Sequence, residues 1–81
     1  MVKKFRVIKD CPCLKTNHYM YGPWQLFEGL EYEPVDYQLI DGFVQFSLYD
    51  EHGWIGDYQI DQTIFKNNCT VIEWLMNEDD I

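Results

Sequence analysis

Residues 35–60 decide the fold class, and they read VDYQLIDGFVQFSLYDEHGWIGDYQI. Three runs of this stretch have the alternating period and the β-branched and aromatic content of strands. Asp41-Gly42 separates the first two runs. An Asp-Gly pair there is typical of a tight hairpin, because both turn positions need positive φ. Residues 50–53 separate the next two runs as a four-residue turn, with Gly53 in the left-handed position. The stretch therefore predicts three strands joined by two hairpins.

Strand patterns also lie on both sides of this stretch. Residues 3–9 alternate as a half-buried strand, and residues 69–74 form a β-branched run at the other end of the chain. Residues 30–33 begin a strand that continues at Val35, and Pro34 between them indicates an edge position or a bulge. The sequence therefore predicts five strands.

Two segments between the strands have their own patterns. Residues 10–29 contain scattered prolines and glycines without a sustained period, which predicts a long loop. Residues 61–65 are too short for a stable helix and predict one 3₁₀ turn capped by Asp61. We expect a mostly β domain over residues 1–76, a small five-stranded barrel with this turn before the last strand. Residues 77–81 are expected to be an acidic tail.

This order of elements resembles the SH3-like barrel. Residues 27–32, FEGLEY, look like the turn into the second strand of that fold. Residues 50–53 look like its distal hairpin, and residues 61–65 look like its closing helical turn. Short proteins encoded by phages and mobile elements look similar, because they pair an aromatic-glycine-tyrosine turn with an Asp-x-x-Gly hairpin. The resemblance implies a fold, and the function must be argued from the site.

Aromatic residues form the first candidate site. In SH3-like folds the first long loop and the distal part of the sheet wall a groove that binds proline-rich peptides. The corresponding partner-binding candidates in this chain are Tyr19, Tyr21, Trp24, Tyr49 and Trp54. The chain departs from the signalling members, because it lacks their Ala-Leu-Tyr-Asp-Tyr run and Trp54 directly follows the distal turn. The wider aromatic set also includes Tyr37 and Tyr58, and the other interpretation is that half of these rings simply build a small core.

The charge of the chain is divided unevenly. Residues 1–15 carry five basic side chains and one carboxylate, whereas residues 16–81 carry one basic side chain and thirteen carboxylates. The net charge is −8. An acidic body repels phosphates, so we expect no direct nucleic-acid binding and a larger partner protein with a basic surface. The alternative is that the charge only maintains solubility.

Carboxylates form the second candidate site. Glu31 and Glu33 are two residues apart and therefore lie on one face of a strand, and Asp36 and Asp57 belong to the same acidic set. Such rows imitate the phosphate spacing of nucleic acid, which short acidic phage proteins use to block a host enzyme. The alternative is a solvated face. The sequence lacks nucleophile elbows and phosphate-binding glycine loops, so an enzyme is not expected.

The cysteines form the third candidate site. Cys11 and Cys13 flank a proline near His18, and these three residues are metal-ligand candidates. Zinc sites commonly place two to four residues between paired cysteines, whereas one residue stands here, so we expect no metal and no cofactor. The third cysteine, Cys69, is expected in the core. An odd number of cysteines makes a disulfide framework unexpected.

The N-terminal sequence and the apolar runs bear on location. No apolar segment follows the basic residues at 3–9, so a signal peptide is not expected. No run approaches the roughly 18 apolar residues of a membrane span. We therefore expect a cytoplasmic protein that does not contact a membrane.

Three hypotheses about function follow. The leading one is a small, acidic, non-catalytic protein-binding domain, such as a phage-encoded inhibitor or modulator of a host protein. The second is a structural or accessory module of a virion or multi-subunit assembly. The third is a small metal-binding regulator that uses Cys11, Cys13 and His18.

Overall fold

The computed structural model describes residues 1–17, 20–53 and 55–75, without the side chains of Asn17 and Met20. The described part is mostly β. Its elements, in chain order, are β1 (Val2–Val7), β2 (Cys11–Asn17), β3 (Met20–Leu26), β4 (Glu31–Tyr32), β5 (Val35–Ile40), β6 (Phe43–Tyr49), β7 (Ile55–Asp61), α1 (Gln62–Asn68) and β8 (Cys69–Trp74). The predicted tail at residues 77–81 lies outside the described residues.

The strands form two antiparallel sheets rather than the predicted closed barrel, and the described residues contain eight strands rather than five. One has three strands in the order β4-β1-β8, and the other has five strands in the order β3-β2-β7-β6-β5. The chain leaves the first sheet after Tyr32 and enters the second at Val35, so Pro34 lies between the sheets. This placement agrees with the interruption predicted there, because proline cannot donate to a ladder.

Both predicted hairpin turns are confirmed. Asp41 and Gly42 have φ values of 50° and 82°, the paired positive angles that a two-residue connection between β5 and β6 requires. In the next turn Gly53 has a φ of 81° and donates its N–H to the carbonyl of Asp50 at 3.0 Å. The Asp50 carboxylate accepts the His52 N–H at 2.9 Å, which closes the turn.

The prediction of a long loop at residues 10–29 was wrong. Strands β2 and β3 pair in unbroken register from Cys11↔Leu26 to Asn17↔Met20. Strand β3 lies at one edge of its sheet. A proline whose nitrogen is directed to the open side of an edge strand removes no inter-strand hydrogen bond. Strand β2 pairs with β7 only at Leu14 and Lys15. The sheet therefore accepts the prolines and glycine that suggested a loop.

The helical segment is longer than predicted. It is an α-helix, Gln62–Asn68, rather than a single 3₁₀ turn, and the last strand follows it directly. The predicted cap is confirmed, because the Asp61 Oδ1 accepts N–H groups from Thr63 at 2.8 Å and Ile64 at 3.2 Å. Lys66 lies in the last turn, where its positive charge interacts favourably with the negative end of the helix dipole.

Removing this cap is expected to weaken the fold moderately. Asp61→Ala leaves two backbone donors of the helix without their carboxylate partner, at a cost of about 1 kcal/mol in the free energy of unfolding. Asp61→Asn keeps an acceptor oxygen at the same position, so we expect it to retain most of that stability. Urea unfolding followed by circular dichroism measures both variants. Equal losses in the two variants would contradict the capping role.

The core lies between the two sheets and is closed by α1. Phe5 on β1 is fully buried, and its ring lies 5.4 Å from that of Phe46 and 5.2 Å from that of Phe65. The other fully buried or nearly buried members come from all parts of the chain: Val2, Val7, Cys11, Leu26, Val44, Leu48, Ile60 and Cys69. The core therefore joins the N-terminal strand to both sheets, and it leaves the outer face of the five-stranded sheet uncovered.

Candidate functional site

The outer face of the five-stranded sheet is polar at its centre. Phe46 and Ile60 point into the core, so Gln45 and Ser47 on β6 point outward. The register places Gln45 opposite Gln59 and Ser47 opposite Asp57 on β7. Leu14 on β2 is opposite Gln59. Strand alternation thus puts amides, a hydroxyl and a carboxylate side by side on one surface.

An open depression with a volume of about 230 Å³ lies on this face. The residues that line it come from four strands: Thr16, Asp36, Gln38, Gln45, Phe46, Ser47, Asp57 and Tyr58. Within the described residues, no lysine or arginine lines the depression. The lining is therefore rich in hydrogen-bond acceptors and carries the negative charge of two carboxylates.

Asp36 lies at the depression because strand β5 is irregular there. The pairing of β5 with β6 shifts register between Val35 and Gln38, and Asp36 has a φ of 54°. A bulge of this kind adds a residue to one strand and redirects its side chain. Aspartate tolerates the left-handed conformation better than most residues. The bulge thus brings a second carboxylate to the depression on which Asp57 lies.

Asp57 is oriented by a neighbour on the adjacent strand. The Ser47 hydroxyl donates to the Asp57 Oδ1 at 2.6 Å, which is the short distance of a charge-assisted hydrogen bond. The Asp57 side chain is exposed, so its carboxylate is also accessible from the depression. An arrangement of two carboxylates, amide oxygens and hydroxyls is suited to bind a cationic group such as guanidinium or ammonium.

Two of the aromatic residues predicted as partner-binding lie on the same outer face. Tyr49 is 61% exposed and pairs with Ile55. After the Ser47–Asp57 pair, this is the next pair along the ladder whose side chains point outward. Tyr21 is 73% exposed and stands opposite Thr16, which lines the depression. Tyr21, Tyr49 and Asp57 are therefore brought to one surface, with the two rings near the depression.

Trp24 lies on the opposite face of the sheet. It pairs with Cys13, and the Lys15 Nζ lies 4.2 Å from the centre of its ring. The same ammonium lies 5.6 Å from the centre of the Tyr58 ring. These cation–π contacts hold the Lys15 charge on the inner face. The neighbouring residue, Thr16, points outward, so the contacts also keep this cation out of the acidic depression.

The remaining predicted carboxylates have cationic partners. Glu31 Oε2 accepts hydrogen bonds from Arg6 Nε at 2.9 Å and from Arg6 Nη2 at 2.6 Å. The Glu33 Oε1 lies 3.7 Å from the Lys4 Nζ. Lys3 pairs in the same way with Glu73 at 3.7 Å. The basic first strand and these acidic side chains therefore neutralise each other across the three-stranded sheet.

Other rings belong to the core, as the alternative interpretation held. Tyr37 stacks on Phe46 with ring centres 6.4 Å apart, and Tyr58 stacks on the same ring at 6.0 Å. Burial raises the pKa of both tyrosines above the usual value. Both rings therefore contribute to packing, and Tyr58 also lines the depression.

The cysteines are packed as thiols. Cys11 and Cys69 are buried, and Cys13 is half-buried. Among residues 1–17, 20–53 and 55–75, no group of three histidine, cysteine, aspartate or glutamate side chains is placed to hold a metal ion. Three of the predicted site residues, His18, Tyr19 and Trp54, lie outside the described residues.

Sequence reasoning included Asp36 in the acidic set but missed several other residues of the depression, namely Thr16, Gln38, Gln45 and Ser47. The alternation of β6 carried a signal for Gln45 and Ser47, because they occupy the polar positions between buried residues. The bulge at Asp36 has no comparable signature in the sequence.

The fold and this site define a small, mostly β protein with an acidic depression on the outer face of one sheet. No protein-family model matches the chain, and neither curated proteins nor solved structures include a match. In the part of the chain that the structure describes, no helix is long and apolar enough to cross a membrane.

Proposed function

We propose that this chain is a non-catalytic protein-binding domain that docks on a basic surface of a larger protein. The observation that carries the proposal is the depression on the outer face, whose lining includes both Asp36 and Asp57 together with polar side chains from four strands. Glu31, Glu33 and Glu73 lie on the other sheet or beside it and pair with basic side chains of strand β1. The negative charge offered to a partner is therefore concentrated on one sheet face.

The geometry favours an arginine or lysine side chain as the group that enters the depression. Charge-assisted hydrogen bonds to carboxylates are about twice as strong as neutral ones, and arginine makes them in pairs. Tyr21 and Tyr49 offer exposed rings beside the carboxylates, and tyrosines of this kind are frequent energetic anchors of interfaces. The carboxylates set the approach and register of the partner, while the rings supply contact area.

The proposal includes an SH3-like fold and a role as an inhibitor or modulator. The turn at residues 27–30, the turn at residues 50–53 and the helix before the last strand occur in the order that the SH3-like resemblance requires. Occlusion of a basic, nucleic-acid-binding surface on a host protein is the mode of inhibition that the acidic face favours. Free thiols at all three cysteines fit a cytoplasmic location.

A structural or accessory module is the second candidate, and one apolar surface favours it. Met1 and Trp74 are 65% and 63% exposed, and the Leu75 N–H donates to the Met1 carbonyl at 2.8 Å. These neighbouring apolar side chains offer a contact for self-assembly or for another subunit. Light scattering distinguishes the two candidates, because an assembly module forms oligomers through this surface whereas the binding domain stays monomeric without its partner.

The experiment for the proposed function titrates the protein with a nine-residue arginine peptide and follows the backbone amides by NMR. We expect the largest changes at Thr16, Ser47 and Asp57. Asp36→Asn with Asp57→Asn is expected to weaken binding at least about tenfold, because two charge-assisted contacts are lost. Asparagine also accepts the positive φ at position 36, so the backbone is preserved. Higher salt is expected to weaken the wild-type interaction mainly through slower association.

The matched control removes the same two charges elsewhere. Glu28→Gln with Asp41→Asn changes the net charge equally, and asparagine again accepts the positive φ at position 41. We expect this control to weaken peptide binding less than about threefold. Equal weakening by both double variants would show that only net charge matters, which contradicts a specific site. The same pair of variants then serves in affinity capture of the natural partner.

A further inference from the structure

Apolar side chains lie at both ends of the outer face of the five-stranded sheet. At the end formed by the β5–β6 hairpin, Ile40 is opposite Phe43, and these side chains are 39% and 38% exposed. Phe43 precedes the buried Val44, so strand alternation directs this pair outward. At the other end Tyr49 is opposite Ile55, and these side chains are 61% and 46% exposed. The acidic depression therefore lies between two exposed apolar pairs.

We propose that an amphipathic, basic α-helix of the partner protein lies along this face, an inference that rests on the proposed function. Apolar side chains of the helix contact the two apolar pairs, and an arginine or lysine between them enters the depression. Beside the depression, Gln38, Gln45 and Gln59 are cross-strand neighbours and form a row of amides across three strands. These amides can donate and accept hydrogen bonds, so the polar middle of the face also suits the polar side chains of a helix.

A helix suits this face better than an extended segment does. The face of a sheet presents side chains, because the backbone N–H and C=O groups of its strands bond to neighbouring strands within the sheet. An extended segment lying on the face would have no partners there for its own backbone groups, whereas a helix satisfies them internally. Helices are for this reason common elements on sheet faces.

The distance between the two apolar pairs sets the length of the helix. Phe43 and Tyr49 are six residues apart on one strand, which corresponds to about 20 Å. That distance equals about 14 residues of helix, nearly four turns, so two apolar residues about 14 apart contact both ends of the face. Ser47, whose hydroxyl donates to Asp57, is four positions from Phe43, or about 13 Å. A basic residue about 7 or 11 positions after the first apolar residue faces the sheet near this point.

Charge complementarity selects a basic helix rather than a second copy of this chain. The lining of the depression includes the carboxylates of Asp36 and Asp57, and it contains no lysine or arginine among the described residues. The net charge of the chain is −8, so two copies that met through this face would bring like charges together. A cationic helix instead places opposite charges in contact, which favours both its approach and its register.

The experiment measures the binding of two fluorescently labelled peptides to the full-length protein by anisotropy. The first is an alanine-based helical peptide of about 18 residues, with two leucines about 14 residues apart and two arginines between them on the same side. The control peptide has the same composition, but its arginines lie on the side of the helix opposite to its leucines. We expect the first peptide to bind at least about tenfold more tightly than the control.

Two double variants of the protein test the apolar pairs. Ile40→Thr with Ile55→Thr removes apolar contact at both ends and keeps β-branched side chains, and we expect at least about fivefold weaker binding of the first peptide. The matched control is Leu30→Thr with Leu39→Thr, at residues that are 49% and 56% exposed. Leu39 is opposite the buried Val44 and therefore lies on the other face, so we expect less than about a twofold change. If the first double variant does not fold, Ile55→Thr alone is expected to weaken binding by about twofold to threefold.

The outcomes separate the helix from the proposed function. Equal binding of the two helical peptides, both still weakened by Asp36→Asn with Asp57→Asn, would overturn the helix and leave a domain that binds basic groups. Equal effects of the isoleucine and leucine double variants would also overturn the helix. Failure of both helical peptides and of the nine-residue arginine peptide to bind would overturn the two proposals together.

Discussion

Phe5→Ala is expected to lower the free energy of unfolding by about 3–5 kcal/mol. Phe5 is fully buried, and its ring contacts three others, those of Tyr32, Phe46 and Phe65, at centre distances of 5.6, 5.4 and 5.2 Å. Truncation removes the buried ring and leaves a cavity where both sheets and α1 meet. A domain of this length is stable by only about 5–15 kcal/mol, so the loss is a large fraction of the total.

The matched control for this prediction is Phe27→Ala. Phe27 is 54% exposed, and its backbone carbonyl accepts the Leu30 N–H in the turn at 3.3 Å, a contact that the substitution keeps. We expect a change within about 0.5 kcal/mol. Phe5→Leu provides a milder test if the alanine variant does not fold, because leucine fills part of the space. Urea unfolding followed by circular dichroism gives all three values. Similar losses at positions 5 and 27 would contradict the central role of Phe5.

The hairpins were predictable from the sequence because their chemistry is local. Asp41 and Gly42 adopt the two positive φ angles that their residue types favour, and the strands on each side follow from alternation. The β2–β3 hairpin was missed for the opposite reason. Its inner positions include Lys15 and Trp24, which shield each other through a cation–π contact, so no apolar alternation marks the hairpin.

The site was predictable in part. Asp57 and Tyr49 reached the outer face as strand alternation requires, and Asp57 was among the residues chosen from the sequence. The role of Glu31 and Glu33 depended on pairing between β1 and β4, which brings residues 25 positions apart together. A sequence pattern reports one strand at a time, so it did not reveal that Arg6 and Lys4 would neutralise these carboxylates.

Charge compensation within one sheet explains how the other sheet becomes the acidic face. The chain places its basic residues at the start, and β1 uses three of them on Glu31, Glu33 and Glu73. Lys15 is held by Trp24 on the inner face. In the described part of the chain, the depression on the outer face of the five-stranded sheet is lined by two carboxylates and by no lysine or arginine. An uneven charge distribution along the sequence becomes an uneven distribution between two surfaces.

Alkaline pH is expected to destabilise the fold by at least about 2 kcal/mol between pH 8 and pH 11. Burial raises the pKa of Tyr32, Tyr37 and Tyr58 above 10.0. Burial, with the charge of Cys11, raises the pKa of Cys13 from 9.0 to about 11. Each group therefore keeps its proton to higher pH in the folded state than in the unfolded state.

The direction in which the free energy of unfolding changes with pH follows from this difference in proton binding. Below pH 9 both states hold these protons, and the stabilising contribution is fully present. As pH rises from 9.0 through about 11, the unfolded chain first loses the Cys13 proton, so the free energy of unfolding falls. The tyrosines act in the same direction above their usual value of 10.0. Cys11 acts in the opposite direction because the hydrogen bond from Cys69 lowers its pKa.

Urea unfolding at several pH values, followed by far-ultraviolet circular dichroism, measures the effect without interference from tyrosinate fluorescence quenching. Cys13→Ser isolates the thiol, because serine does not titrate in this range, and it is expected to reduce the alkaline loss by about 2 kcal/mol. Tyr58→Phe removes one phenol while keeping the ring that stacks on Phe46. A stability that stays level to pH 11, or an alkaline loss unchanged in both variants, would show that these buried groups do not control it. We therefore expect the neutral groups of the small core to set the alkaline limit of the fold.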